Sequence, residues 1–173
     1  MRGNRSLPEG DKMERIAREI LKNEAIEGSG AKPRGPKNAA DHWSPAVLME
    51  RAAYLRKLAK HGDGSASETL KEYPQHCAML LFRSRSGEAE VHERFADLFC
   101  VIAGTATLVT GGVVAGARAV APGETRGASI EGGMRQKLRS GDLTHVPAGI
   151  PHQMLLAGED TITCLVVKVQ EVL

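Results

Sequence analysis

The segment Gly141-Asp142-Leu143-Thr144-His145-Val146-Pro147-Ala148-Gly149-Ile150-Pro151-His152 constrains the fold more than any other part of the chain. It reads G-x5-P-x-G-x2-H. Gly141 and Asp142 predict a tight turn, and a short strand follows. Pro147 and Gly149 then force a second turn, because proline fixes φ and glycine reaches conformations closed to other residues. His152 opens the next strand. It is therefore held at a turn-defined point of a β-rich segment, where a contact to a metal or substrate is placed accurately.

With 173 residues the chain is long enough to bury a real core. The reading is one domain with an appendage: residues 1–65 as an N-terminal helical arm and linker, residues 66–173 as a β-domain. The net charge is +2 and aromatics are 3% of the chain. No basic stripe with interleaved aromatics occurs, so a nucleic-acid partner is not expected. Cys77, Cys100 and Cys164 are odd in number and lie in apolar runs. They read as buried thiols, not as a disulfide framework or a zinc ribbon. No signal peptide is visible, and no run of about 18 apolar residues predicts a membrane span. A cytoplasmic protein without a membrane partner is the expectation.

Residues 11–27 have helical periodicity, with Met13, Ile16, Ala17, Ile20, Leu21 and Ala25 on one face. Residues 28–40 read as a linker. Ser44 and Pro45 open a second helix as N-cap and first residue. Val47, Leu48, Tyr54, Leu55 and Leu58 are its expected apolar stripe, and Gly62 its stop. Trp43 is expected to staple this helix down. Both helices are expected to pack outside the main domain or on a second subunit.

From about residue 66 the period changes. His76–Arg83, Glu88–His92, Leu98–Ile102, Thr105–Val109, Leu143–Val146, Gln153–Leu156 and Thr161–Val169 predict short strands separated by glycine turns, the pattern of an antiparallel sandwich or barrel. Residues 111–133 are Gly- and Ala-rich and are expected to form a loop over one end of the barrel. Glu124, Arg126 and Glu131 lie in it and are left outside the site. His145 is expected to be a core polar residue or a partner behind the site. Arg83 and Arg85 are expected as rim ion pairs, with an anionic substrate as the alternative.

The pattern resembles the cupin superfamily. Residues 141–152 match its second motif, G-x5-P-x-G-x2-H-x3-N, up to the histidine, and Leu156 takes the place of the final asparagine. The first motif, G-x5-H-x-H-x3,4-E-x6-G, is anchored on Gly104. Counting back from it puts Asp97 at the glutamate, His92 at the second histidine and Glu90 at the first. A register with Arg94 in the H-x-H pair breaks the spacing to Gly104. The resemblance covers roughly residues 66–170 and is closest to small single-domain bacterial cupins with a Gly-rich insertion. It implies an all-β core, a small antiparallel β-barrel or jelly roll, here preceded by a two-helix arm. The superfamily includes dioxygenases, isomerases, decarboxylases and sugar-binding and storage proteins, so fold alone does not give function.

On this register Glu90 and His92 are two apart and share one strand face. A short hairpin brings Asp97 beside them, and His152 arrives from another strand. Two imidazoles and two carboxylates converging in a barrel mouth suit a divalent ion: Fe²⁺, Mn²⁺, Zn²⁺ or Ni²⁺. The expectation is a metal-dependent enzyme, of oxygenase or isomerase type, acting on a small polar organic molecule. A non-catalytic small-molecule-binding module is the alternative, and the motifs leave the choice open. Homodimerisation is expected because open sheet edges need cover.

Overall fold

A computed structural model describes residues 40–171. The helix expected over 11–27 lies outside these residues. Of these, residues 43–171 lie in one compact unit. It contains helix α1 (Pro45–His61) and the strands β1 (Ser65–Glu72), β2 (His76–Arg83), β3 (Ala89–His92), β4 (Phe95–Thr110), β5 (Val113–Ala115) and β6 (Arg118–Ala121). These are followed by β7 (Glu124–Gly127), β8 (Ser129–Glu131), β9 (Met134–Arg139), β10 (Leu143–Val146), β11 (His152–Leu155) and β12 (Ile162–Gln170). Of the two-helix arm, the second helix is therefore present.

All strand pairs are antiparallel; ten strands form two layers, and β5 and β8 pair in a separate two-stranded sheet. The first layer runs β1-β2-β12-β4-β10. The second runs β9-β4-β11-β3-β7-β6. β4 belongs to both. Its first half pairs with β12 and β10, and its second half with β9 and β11. The sequence predicted two strands here, Leu98–Ile102 and Thr105–Val109. They are one strand that turns the corner between layers at Gly104. The reason is steric. Gly104 has φ +86°, and a Cβ there would stand 1.9 Å from the Thr161 carbonyl oxygen. Only glycine fits such a close approach.

The alternation along β2 explains how the first layer is covered on both faces. Ala78, Leu80 and Phe82 are buried, and Leu80 and Phe82 pack against α1. Met79, Leu81 and Arg83 point the other way, into the space between the layers. α1 buries Leu48, Ala52, Leu55 and Ala59 against Ala66, Leu80 and Phe82. Two of its four buried positions are alanines, which let the helix approach the sheet closely, whereas Val47, expected on the stripe, is exposed. Ser44 caps the helix by accepting from the Val47 N–H at 3.3 Å, a cap of about 1 kcal/mol. Gly62 is the C-cap. Trp43 packs against the same cluster. An Arg51–Glu68 ion pair ties the helix to β1.

The stretch 111–133 differs from the expected loop. It forms β5 to β8, and β7 pairs with β3 along its length, opposing Glu124 to His92 and Arg126 to Glu90. The Gly-rich composition reflects close backbone contact: a Cβ on Gly127 would stand 2.2 Å from Val114 Cγ1. The second core cluster, with Phe99, Leu108, Leu138, Met154 and Ile162, fills one part of the space between the layers. The rest of that space is a cavity.

Candidate metal centre

Two pieces of chain meet in this cavity, and main-chain bonds lock them together. The turn at Pro147–Gly149 donates the Gly149 N–H to the His92 carbonyl at 2.8 Å. Gly149 has φ +76°, which fits the sharp turn. At the other turn, the Asp142 carboxylate accepts from the Arg139 N–H at 2.7 Å. His152 then lies directly opposite Glu90 in the β11–β3 ladder. The spacing of the later segment thus serves to seat His152 against the strand that carries Glu90 and His92.

All four side chains expected at the site come together. His92 Nε2 is 3.4 Å from Glu90 Oε2 and 3.4 Å from Asp97 Oδ2. His152 Nε2 is 3.4 Å from the same Asp97 oxygen and 3.9 Å from Glu90 Oε2. His92, Asp97 and His152 are buried and Glu90 is half-buried. Both Nε2 atoms are buried and make no hydrogen bond. Buried polar nitrogens normally find partners. Glu90, His92 and His152 offer ligand atoms that all lie within 4.8 Å of one another. Ligand atoms on a tetrahedral ion with bonds of about 2.1 Å are about 3.4 Å apart. The donor set and its spacing therefore fit a divalent ion better than a network of direct hydrogen bonds.

The other face of each imidazole is fixed. His92 Nδ1 is 2.6 Å from Glu124 Oε2, and His152 Nδ1 is 3.1 Å from the Ile150 carbonyl oxygen. Both oxygens accept from an Nδ1–H, which turns Nε2 into the cavity as the nitrogen that can ligate a metal.

Cations hold the carboxylates. Lys168 Nζ donates to Asp97 Oδ1 at 2.7 Å. Arg83 and Arg126 approach the two oxygens of Glu90 at 3.5 and 3.2 Å, and Arg126 also lies 3.7 Å from Glu124. Burial pushes Glu90 upward, but the neighbouring His92 ring and the charges of Arg126, Arg83 and His152 outweigh it and bring its pKa down to about 2. Burial also opposes ionisation of Asp97, yet His152, His92 and Lys168 hold it far below the usual carboxylate range. For His92, burial favours the neutral ring, but Asp97 and Glu90 raise its pKa to about 9.

Glu124, Arg126 and Lys168 were missed by sequence reasoning. Period 2 was the available signal. Glu124 and Arg126 share a strand face, and Lys168 continues the inward phase of Cys164 and Val166. His145, expected inside or behind the site, is exposed on β10, because Val146 takes the inward phase. Arg94 is exposed as well, in agreement with the register chosen. Gln153 and Met154 both line the cavity. Gln153 is committed to structure, with its amide donating to the Gly87 and Ala128 carbonyls.

The cavity has a volume of about 200 Å³. One wall is polar, with the residues above. The other is apolar, with Met79, Leu81, Phe99, Leu108, Met154 and Val166. Among the described residues no helix is long and apolar enough to cross a membrane.

No protein-family model matches the sequence, and no curated protein matches it. Solved structures do. An uncharacterised conserved protein with a double-stranded β-helix domain from Klebsiella pneumoniae is 16% identical, with a TM-score of 0.51 over 76% of this chain and 91% of that one. The TT1209 protein of Thermus thermophilus is 15% identical, with a TM-score of 0.50 over 70% of this chain and 93% of that one. At such identities the likeness concerns the fold. It agrees with the fold expected from the two motifs that meet at Glu90 and His152, and the chain has the fold of a double-stranded β-helix.

Proposed function

We propose that the protein binds a divalent metal ion through His92, His152 and Glu90, with Asp97 as a fourth donor, and acts on a small polar organic molecule in the adjoining cavity. The observation that carries this reading is the pair of buried, unpartnered Nε2 atoms, both 3.4 Å from Asp97 Oδ2. Two carboxylates beside two neutral imidazoles balance a 2+ charge and lower the cost of burying it. The donor set suits Fe²⁺, Mn²⁺, Zn²⁺ or Ni²⁺. A bound ion would supply Lewis acidity toward a ligand oxygen. The chain's own residues orient that ligand, exclude water on the apolar wall, and hold the imidazoles in one tautomer.

The reading divides into a metal-dependent enzyme, of oxygenase or isomerase type, and a binding module without turnover. Homodimerisation belongs to the same proposal, since β6 is a fully exposed strand at the end of its layer.

Elemental analysis after expression in medium supplemented with Fe, Mn, Zn and Ni tests the metal. One ion per chain is expected in the wild type, and none in His92→Ala/His152→Ala. A wild type without stoichiometric metal would refute the reading. Metal retained without both imidazoles would move the site elsewhere.

A further inference from the structure

Arg83 and Arg126 are the two guanidinium groups that line the cavity, one on β2 and one on β7. Each is paired only loosely. Arg83 is 3.5 Å from Glu90 Oε1, and Arg126 Nη1 is 3.2 Å from Glu90 Oε2. A charge-assisted N–H···O bond is usually about 2.7 to 2.9 Å long. Arg126 Nη1 is also buried without a hydrogen-bond partner. The donors of both groups are largely unspent, although guanidinium is built to clamp a carboxylate with two parallel bonds.

The fold makes room for Arg83. A Cβ on Gly87 would stand 2.7 Å from Arg83 Nη1 and 2.9 Å from Cζ, so the guanidinium rests against a bare backbone. Gln153 fixes that backbone by donating to the Gly87 carbonyl at 2.9 Å. Arg83 is therefore a seated side chain.

Charge balance points the same way. Three cationic side chains, Arg83, Arg126 and Lys168, and three carboxylates, Glu88, Glu90 and Asp97, line the cavity. A divalent ion would leave this lining net positive even with Glu124 counted among the acids. An ion that draws Glu90 toward itself also releases the carboxylate that both guanidiniums share.

We infer that Arg83 and Arg126 form a carboxylate subsite beside the metal position, and that the ligand is a small organic acid with one carboxylate and an apolar body. The inference rests on the proposed metal reading, because the ion is what takes Glu90 away from the two guanidiniums. The body lies on Phe99, Leu108 and Met154. Size sets the rest of the class. The cavity of about 200 Å³ and its apolar wall suit an acid of several carbons.

The test is isothermal titration of Zn²⁺-loaded and metal-free protein with benzoate and butyrate, each against its neutral amide. Zinc content is measured first. Both acids are expected to bind the loaded protein at least about tenfold more tightly than benzamide and butyramide, and more tightly than they bind metal-free protein. Arg126→Gln and Gly87→Ala are expected to lose that preference at unchanged zinc content, with exposed Arg135→Gln as the control. Gly87→Ala displaces the flexible end of Arg83 without touching a core residue, so its melting temperature is expected to stay near that of the wild type. Zinc uptake with no preference for acid over amide overturns the inference alone. So does a preference that survives in Arg126→Gln and Gly87→Ala, or one of equal size without metal. Failure of zinc uptake, seen before any acid is added, overturns the metal reading and the inference that rests on it.

Discussion

Glu124 Oε2 and His92 Nδ1 are 2.6 Å apart across the β3–β7 ladder. An ionised carboxylate only accepts, so a proton lies on Nδ1, and Nε2, which faces Glu90, Asp97 and His152, is the nitrogen left for a metal once it gives up its own proton. One side chain of the Gly-rich insertion therefore decides which nitrogen of His92 is available. Removing such an outer partner commonly costs about 10–100-fold in metal affinity. Glu124→Ala is expected to weaken metal binding by about that factor, read by competition with a chelator, while the far-UV spectrum is unchanged. Glu124→Gln, which can still accept through its amide oxygen, is expected to lose less. Equal affinity in wild type and Glu124→Ala would show that the ring is oriented by packing alone.

Lys168 acts against the metal where Glu124 supports it. Its ammonium donates to Asp97 Oδ1 and competes for the carboxylate that lies between both imidazoles. It also places a positive charge beside the metal position. Lys168→Gln keeps a donor and removes the charge. Metal affinity is expected to rise by about tenfold or more, which corresponds to about 1.4 kcal/mol. The metal-free variant is expected to be less stable, since breaking a buried ion pair leaves an uncompensated charge behind. Chelator competition and thermal melts of both forms read the two effects separately. Weaker metal binding in Lys168→Gln would instead make the lysine a positioning residue for Asp97.

The parts of this site that could be read in the sequence are those that make demands on the backbone. Gly104, Gly141, Pro147 and Gly149 occupy turns or close approaches, and their spacing led to His92, Asp97 and His152. Glu90 followed from the same count, at the place of the first histidine in the cupin motif. Glu124 and Arg126 were hidden because β7 is four residues long and mostly polar, and its strand character comes from pairing with β3 and β6 and not from an apolar pattern. Lys168 was hidden because a lysine in a strand usually faces water. Here it continues the inward phase of β12. β1, Ser-Ala-Ser-Glu-Thr-Leu-Lys-Glu, was passed over for a similar reason: it is an edge strand with few apolar residues. The insertion read as a loop by composition, whereas its glycines permit tight β-packing.

The corner at Gly104 gives a prediction about folding. Alanine there meets the Thr161 carbonyl at 1.9 Å from a backbone with φ +86°. The neighbour is main chain in the β12 entry, so it cannot move aside like a side chain tip. A left-handed alanine costs about 1 kcal/mol or more by itself, and the clash adds to it. Gly104→Ala is expected to destabilise the fold by at least about 3 kcal/mol and to reduce soluble yield. Gly141→Ala, where nothing lies within 4 Å of the new Cβ, carries the φ penalty alone and is expected to lose less. Equilibrium denaturation compares the two, and equal losses would show that the corner has room to shift.

The electrostatics of His92 set the pH dependence of metal uptake. In the metal-free protein burial disfavours its charged form, but Asp97 and Glu90 raise the pKa from 6.5 to about 9. A metal takes Nε2 only without its proton. Below about pH 9 each ion that binds must therefore displace a proton, and affinity is expected to rise by up to about tenfold per pH unit from about pH 6.5 toward about pH 9. Stability of the metal-free fold changes in the opposite sense. A pKa raised on folding contributes stability that is fully present below 6.5 and is lost as pH rises through about 9. The melting temperature of metal-free protein is thus expected to fall over that window, while that of metal-loaded protein holds, so the shift produced by metal widens with pH. Melts of both forms across the window, with proton release followed in weak buffer, measure this directly. A metal-induced shift that is constant with pH, without proton release, would mean that His92 enters the site already neutral.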